Sequence, residues 1–155
     1  MRGQRAKKRA PQRDAKYGSA LIARLINKVM QDGKKSTAEA LVYSALEKAS
    51  KEFKMEPDAF FDDVVNKLRP ALEIRSRRVG GANYSVPTPV SKARQEALAV
   101  RWLVDYSRAK SGSSFDETLA KELIAAFNGE GEAMKKKADV ERMAEANKAF
   151  AHFRW

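Results

Sequence analysis

Cysteine is absent from this 155-residue chain. That excludes disulfides, zinc–thiolate sites, iron–sulfur clusters and thiol catalysis together, and it fits a reducing compartment. Histidine occurs once, at His152. With no cysteine and no suitably spaced carboxylate beside it, His152 is read as non-catalytic. Asp62-Asp63 has no second acidic pair placed to bind a metal. Gly129-Glu130-Gly131 lacks both the third glycine and the preceding strand of a dinucleotide loop, so it reads as a helix break. No apolar run approaches the roughly 20 residues that span a bilayer, and no signal-peptide core follows the start. The first residues are basic like a transit peptide but lack its apolar periodicity. No nucleophile–base constellation emerges, so no enzyme, cofactor, metal, small-molecule substrate or membrane partner is expected.

What the chain has is basic charge, unevenly placed. The net charge is +11. Residues 1–16 hold seven basic groups against Asp14, and residues 69–94 hold six against Glu73. Elsewhere the signs balance: eight of each over 17–68 and ten of each over 95–155. Charge serving only solubility would be spread out; this placement points to a polyanionic partner. Hydrophobic residues make up 43% of the chain, enough for one domain with one core.

Residues 1–16 are nearly devoid of apolar side chains and read as a flexible basic arm. Residues 17–155 read as a helical domain. A first stripe runs through Leu21, Ile22, Leu25, Ile26, Val29 and Met30 and ends at Asp32-Gly33. Ser36 with Glu39 gives a capping-box pattern for a second helix carrying Leu41, Val42, Ala45, Leu46, Ala49 and Phe53. Pro57 opens a third, with Phe60, Phe61, Val64, Val65 and Leu68; Arg69-Pro70 stops it. The period then switches from about 3.6 to 2, and residues 72–90 read as a β-hairpin turning at Gly80-Gly81-Ala82-Asn83. Pro87 and Pro89 remove N–H groups from one side, which is tolerated if that side faces solvent or RNA. Ser91 caps a fourth helix with Leu98, Trp102 and Leu103, Trp102 being assigned to the core. Ser114 with Glu117 suggests another capping box for a fifth, and a sixth starts near Glu132. The fold class is therefore mainly α: six helices in one domain, a protruding two-stranded hairpin and a basic N-terminal arm.

The segment Arg75-Ser76-Arg77-Arg78-Val79-Gly80-Gly81-Ala82-Asn83-Tyr84 carries most of the functional signal. Arginine forks bind phosphate bidentately, glycines admit close backbone approach, and an exposed Tyr84 ring can stack on an unpaired base. Arg2, Arg5, Lys7, Lys8, Arg9, Arg13 and Lys16 suit phosphate neutralisation. Lys34, Lys35, Lys92 and Arg94 extend this set, each being equally well a plain surface residue. Lys135-Lys136-Lys137 is followed by Asp139, Glu141 and Glu145, so it divides evenly between RNA contact and a self-neutralised helix face. From the residues alone, RNA binding leads. A DNA-binding architectural protein using arm and β-ribbon stays open, as does an adaptor binding proteins through its neutral helices.

Several stretches resemble a known family in the right order: Lys16-Tyr-Gly-Ser19, Asp32-Gly-Lys-Lys-Ser-Thr-Ala-Glu39, Arg77-Arg-Val-Gly-Gly-Ala-Asn-Tyr84, Ala97-Leu-Ala-Val-Arg-Trp-Leu103 and Met143-Ala-Glu-Ala-Asn-Lys-Ala-Phe-Ala-His-Phe-Arg-Trp155. The family is bacterial-type small-subunit ribosomal protein seven. The resemblance implies six helices and a β-ribbon on a cytoplasmic ribosomal protein. It also implies primary binding to the 3′ major domain of small-subunit rRNA, nucleation of head assembly, proximity to exit-site tRNA and mRNA, and contact with neighbouring small-subunit proteins. By that resemblance the rRNA contacts are Arg2 to Arg13, Lys34, Lys35, Arg75 to Tyr84, Lys92 to Arg101, and Ser114 with Phe115. Asn83, Arg142, Asn147 and Lys148 lie toward tRNA and mRNA. Glu141 stands where the family usually has histidine. Ser85 and Thr88-Pro89 replace the more usual glutamine and aliphatic-acid pair of the second ribbon strand.

Overall fold

Apolar side chains recurring three and four residues apart produce a helical body. A computed structural model describes Gly3 and residues 12–154. The element order is α1 (Ala20–Val29), α2 (Lys35–Phe53), α3 (Pro57–Leu68), β1 (Leu72–Val79), β2 (Ala82–Pro89), α4 (Lys92–Ala109), α5 (Phe115–Phe127) and α6 (Glu132–Ala146), followed by a 3₁₀ helix, Lys148–Phe153. The expected fold class is observed, with the last helical stretch divided into α6 and the 3₁₀ turn. One core cluster joins all six α-helices, from Ile22, Leu25 and Ile26 of α1 to Ala133 of α6. Trp102 is buried in it, as its apolar helical pattern predicts. Phe53, Phe60 and Phe127 close the α2–α3–α5 corner, with ring centroids 4.4–5.5 Å apart.

Helix ends are completed largely by groups from other helices. Ser19 caps α1, accepting from the Ile22 N–H at 3.4 Å. The Arg108 guanidinium of α4 donates to the Val29 carbonyl at 2.9 Å, Lys67 Nζ to the Phe127 carbonyl at 2.6 Å, and Lys137 Nζ to the Lys67 carbonyl at 2.7 Å. Three C-terminal ends with orphan carbonyls and partial negative charge thus each receive a cation. Lys137 is therefore a helix cap and Lys135 pairs with Glu132, so two of the three consecutive lysines are engaged within the protein. At the start of α6, Glu122 of α5 acts as a cap in trans. Its fully buried carboxylate accepts from the Ala133 N–H at 2.9 Å and from Lys110 Nζ at 2.6 Å.

Two expected capping boxes do not form. α2 begins at Lys35, one residue before Ser36, because the chain reverses through Asp32 and Gly33, both at positive φ, and Lys35 N–H closes on the Gly33 carbonyl. Ser114 does occupy the N-cap of α5, but its hydroxyl donates to Asp116 Oδ1 at 2.5 Å. Asp116 is also held by Lys48 and Ser44, and these donors keep its carboxyl well below the usual carboxylate range.

The hairpin turns at Gly80-Gly81, with φ of +57° and +90°. Positive φ at both central residues is what a two-residue type I′ turn requires. The register pairs Leu72 with Pro89, Ile74 with Pro87, Arg75 with Val86 and Arg77 with Tyr84. Pro87 and Pro89 fall at the same parity, so both missing N–H groups sit on one side of β2. Pro87 is buried rather than turned to solvent, and it lines a groove with Ala71, Leu72 and Ala144. The base of the hairpin packs against α6 and the 3₁₀ helix, so the ribbon does not project along its whole length.

Candidate nucleic-acid interface

Strand parity divides the hairpin arginines. Cross-strand partners share a face and residues two apart share a face. Arg75 and Arg77 therefore lie with Tyr84, Val86 and Thr88, whereas Arg78 lies with Asn83 and Ser85 on the other side. Glu73 shares the face of Arg75. It accepts from Arg75 Nε at 2.7 Å and, through its other oxygen, from Arg94 Nε in the first turn of α4 at 3.2 Å. Burial works to raise the Glu73 pKa, yet the hydrogen bonds from Arg75 and Arg94 outweigh it and hold the carboxyl below its ordinary value. Glu73 is thus ionised at neutral pH and ties two guanidiniums from different elements into one basic surface. Beyond it on α4, Arg101 is exposed two turns after Arg94, hence on the same helical face. Lys92 is exposed at the head of that helix. Neither Lys92, Arg101 nor Arg78 has an ion pair among the described residues.

A second grouping forms around the turn between α1 and α2. Arg13 and Lys35 line one recess, together with Asp14, Asn27 and Glu39. Lys34 and Phe115 line adjoining recesses that share Val29, Gln31 and Leu41. Ser114 is exposed beside Phe115, whose ring packs partly against the core. Arg2, Arg5, Lys7, Lys8 and Arg9 lie outside the described residues.

Other assignments are altered by the fold. Lys16 pairs with Glu47 and so belongs to the packed root of the arm. Tyr84 is half-buried and its ring meets Phe150 and Phe153, so it is not the exposed stacking ring its sequence position suggests. Asn83 is exposed beside the turn with Gly80 and Gly81. Arg142 bonds Asp139 at 2.7 Å, Asn147 donates to the Met143 carbonyl at 2.7 Å, and Lys148 is exposed at the start of the 3₁₀ helix. Arg142 and Asn147 bond to residues of α6, whereas Lys148 lines the groove at the hairpin base with Ala71, Leu72 and Pro87.

The residues that sequence reasoning passed over are acids. Glu73 entered as the lone acid of its stretch and proves to be its organiser; the signal was its spacing of two from Arg75 on one strand. Asp14 is the single acid against the seven basic groups of residues 1–16. It is buried, 7% exposed, and accepts from Tyr43 Oη at 2.6 Å and from the N–H groups of Tyr17 and Lys16 at 2.9 and 3.1 Å. It pins the root of the arm against α2 through Tyr43. No group of three His, Cys, Asp or Glu able to hold a metal occurs among the described residues, and no helix among them is long and apolar enough to cross a membrane.

The sequence matches the family described as Ribosomal protein S7p/S5e over residues 1–148. This chain belongs to the S7p/S5e family. It is 53% identical over 155 residues to a protein of Kosmotoga olearia and 50% identical to one of Thermotoga neapolitana, each match covering 100% of both chains. A third relative, from Paracoccus denitrificans, is 48% identical over 150 residues, 97% of this chain and 96% of its own. All three relatives carry the name small ribosomal subunit protein uS7. In this S7p/S5e chain, 69–94 is the stretch in which basic residues of a strand and a helix converge on a single acid.

Proposed function

We propose that the chain is a structural, non-enzymatic component of the small ribosomal subunit that binds small-subunit rRNA directly. Membership of the S7p/S5e family supports the ribosomal role. The observation that carries RNA contact is the Glu73-centred cluster, where Arg75 of the hairpin and Arg94 of α4 share one ionised carboxylate. Such a surface offers guanidinium forks at fixed spacing, which suits a folded RNA backbone better than scattered lysines do. The arm adds sequence-independent phosphate contacts, and Lys34, Lys35, Ser114 and Phe115 form a second contact area at the α1–α2 turn. In this reading the RNA is the 3′ major domain, the protein nucleates head assembly, and Asn83, Arg142, Asn147 and Lys148 lie toward exit-site tRNA, mRNA and neighbouring proteins. The resemblance described above supports these finer assignments.

The test is direct binding to a transcript of the 3′ major domain, with duplex DNA as competitor. If six to ten phosphates are engaged, affinity falls on the order of 10³–10⁵-fold between 50 and 200 mM salt. A flat salt response, or preference for the duplex DNA, refutes the proposal.

A further inference from the structure

The two strands of a hairpin alone are marginal in water, so something must hold this one at a defined angle. Its base is held by burial of Val86, Pro87 and Thr88, while Asn83, Ala82, Gly81 and Gly80 are exposed at the tip. Tyr84 sits at the boundary between the two halves. Its ring centroid lies 5.2 Å from that of Phe150 and 5.0 Å from that of Phe153. Phe150 and Phe153 stack with an interplanar angle of 16°, and His152 lies 4.0 Å from the Phe153 ring. Both phenylalanines come from the 3₁₀ helix, which has no fully buried residue of its own. These ring contacts tie the short 3₁₀ helix to β2, which it packs against alongside α6. The dependence is therefore mutual: the hairpin secures the terminal segment, and the terminal segment fixes the hairpin.

We propose that the 3₁₀ helix Lys148–Phe153 is a clasp setting the direction in which the hairpin leaves the body, with Tyr84 acting as a positioning residue for RNA rather than as a base-stacking platform. Arg77 lies directly across the ladder from Tyr84 and on the same face, so the clasp fixes a basic side chain in the outer half of the hairpin. This inference rests on the reading that the hairpin touches RNA. By linkage, any partner that draws Phe150 and Phe153 away weakens RNA binding by the same factor that RNA weakens that partner.

The experiment uses the full chain with Tyr84→Ala, Tyr84→Phe, the double change Phe150→Ala and Phe153→Ala, and all three alanine changes together. Amide hydrogen exchange in the RNA-free protein is read over 76–79 and 82–85, and affinity is read against a 3′ major domain transcript. None of the three rings belongs to the core cluster, so thermal melts should stay near the parent value. The clasp predicts roughly tenfold faster exchange at the tip for Tyr84→Ala and for the double change. It also predicts several-fold weaker RNA binding in both, no further loss on combining them, and near-parent behaviour for Tyr84→Phe. Unchanged exchange in both overturns the clasp whatever the RNA does. Weaker binding by Tyr84→Ala alone, with the double change silent, overturns it in favour of base stacking. Faster exchange with unchanged RNA affinity overturns the positioning role. In the same assay, no loss on changing Arg75, Arg77 and Arg78 to alanine overturns the RNA reading itself.

Discussion

Asp14 joins the basic arm to the helical body, and its removal has a calculable cost. Its carboxylate serves the Tyr43 hydroxyl and two backbone N–H groups. Asp14→Ala leaves all three donors unmet; the two N–H groups near the surface recover water in part, so the net loss is about 2–3 kcal/mol. Asp14→Asn keeps one acceptor oxygen but loses the charge-assisted character, costing about 1 kcal/mol. For a chain of this size each kcal/mol moves the melting temperature by roughly 2–4 °C, so the alanine variant should melt about 5–10 °C lower and the asparagine variant about 2–4 °C lower. Burial would raise the Asp14 pKa, but the hydrogen bonds from Tyr43, Tyr17, Lys16 and Ala15 prevail and hold it below the ordinary value of 3.8. The unfolded chain therefore takes up the proton first. The stabilisation is complete above about pH 4 and fades as pH falls from there toward the native value. Thermal melts of the parent and Asp14→Asn across that range should converge at acid pH. A constant gap between them, or an alanine variant as stable as the parent, refutes the reasoning.

Glu122→Ala leaves the Ala133 N–H buried without an acceptor and opens a cavity in α5; the expected loss is about 2–4 kcal/mol, measured by urea unfolding, with Glu122→Gln intermediate. Gly131 sits at φ +92°, and a Cβ there would lie 2.9 Å from Glu122 Oε1 and 3.1 Å from Ala125 Cβ. Gly131→Ala should therefore cost about 2 kcal/mol or more by the same measurement, whereas alanine at Gly112, where a Cβ meets nothing within 4 Å, should cost only the positive-φ strain of about 1 kcal/mol.

The helices and hairpin were legible because they rest on local rules. Apolar spacing placed the buried faces of α1 to α5, Pro57 and Pro70 bounded α3, and Gly80-Gly81 marked the turn. The arginines converging near Glu73 were legible in part, since strand parity alone separates Arg78 from Arg75 and Arg77. What escaped were contacts between residues far apart in the chain. Asp14 meets Tyr43 29 residues on, Lys137 caps α3 from 70 residues away, and the 3₁₀ helix returns to Tyr84. The position of Tyr84 suggests base stacking because nothing local shows that Phe150 and Phe153 reach it. Glu122 did leave a trace: a charged residue among Leu119, Ala120 and Leu123 sits on a face that should be apolar. The two capping boxes failed because the motif fixes which groups can bond, while Asp116 and the turn at Asp32-Gly33 offered better geometry.

The most direct measurement follows binding of the 3′ major domain transcript as a function of salt, for the parent and for the chain carrying Arg75→Ala, Arg77→Ala and Arg78→Ala. If these guanidiniums neutralise phosphates, the variant binds more weakly and the slope of log affinity against log salt shrinks by about 2–3, with the melting temperature nearly unmoved. An unchanged slope, or a loss of affinity matched by an equal loss of stability, contradicts the claim that the hairpin exists to hold RNA.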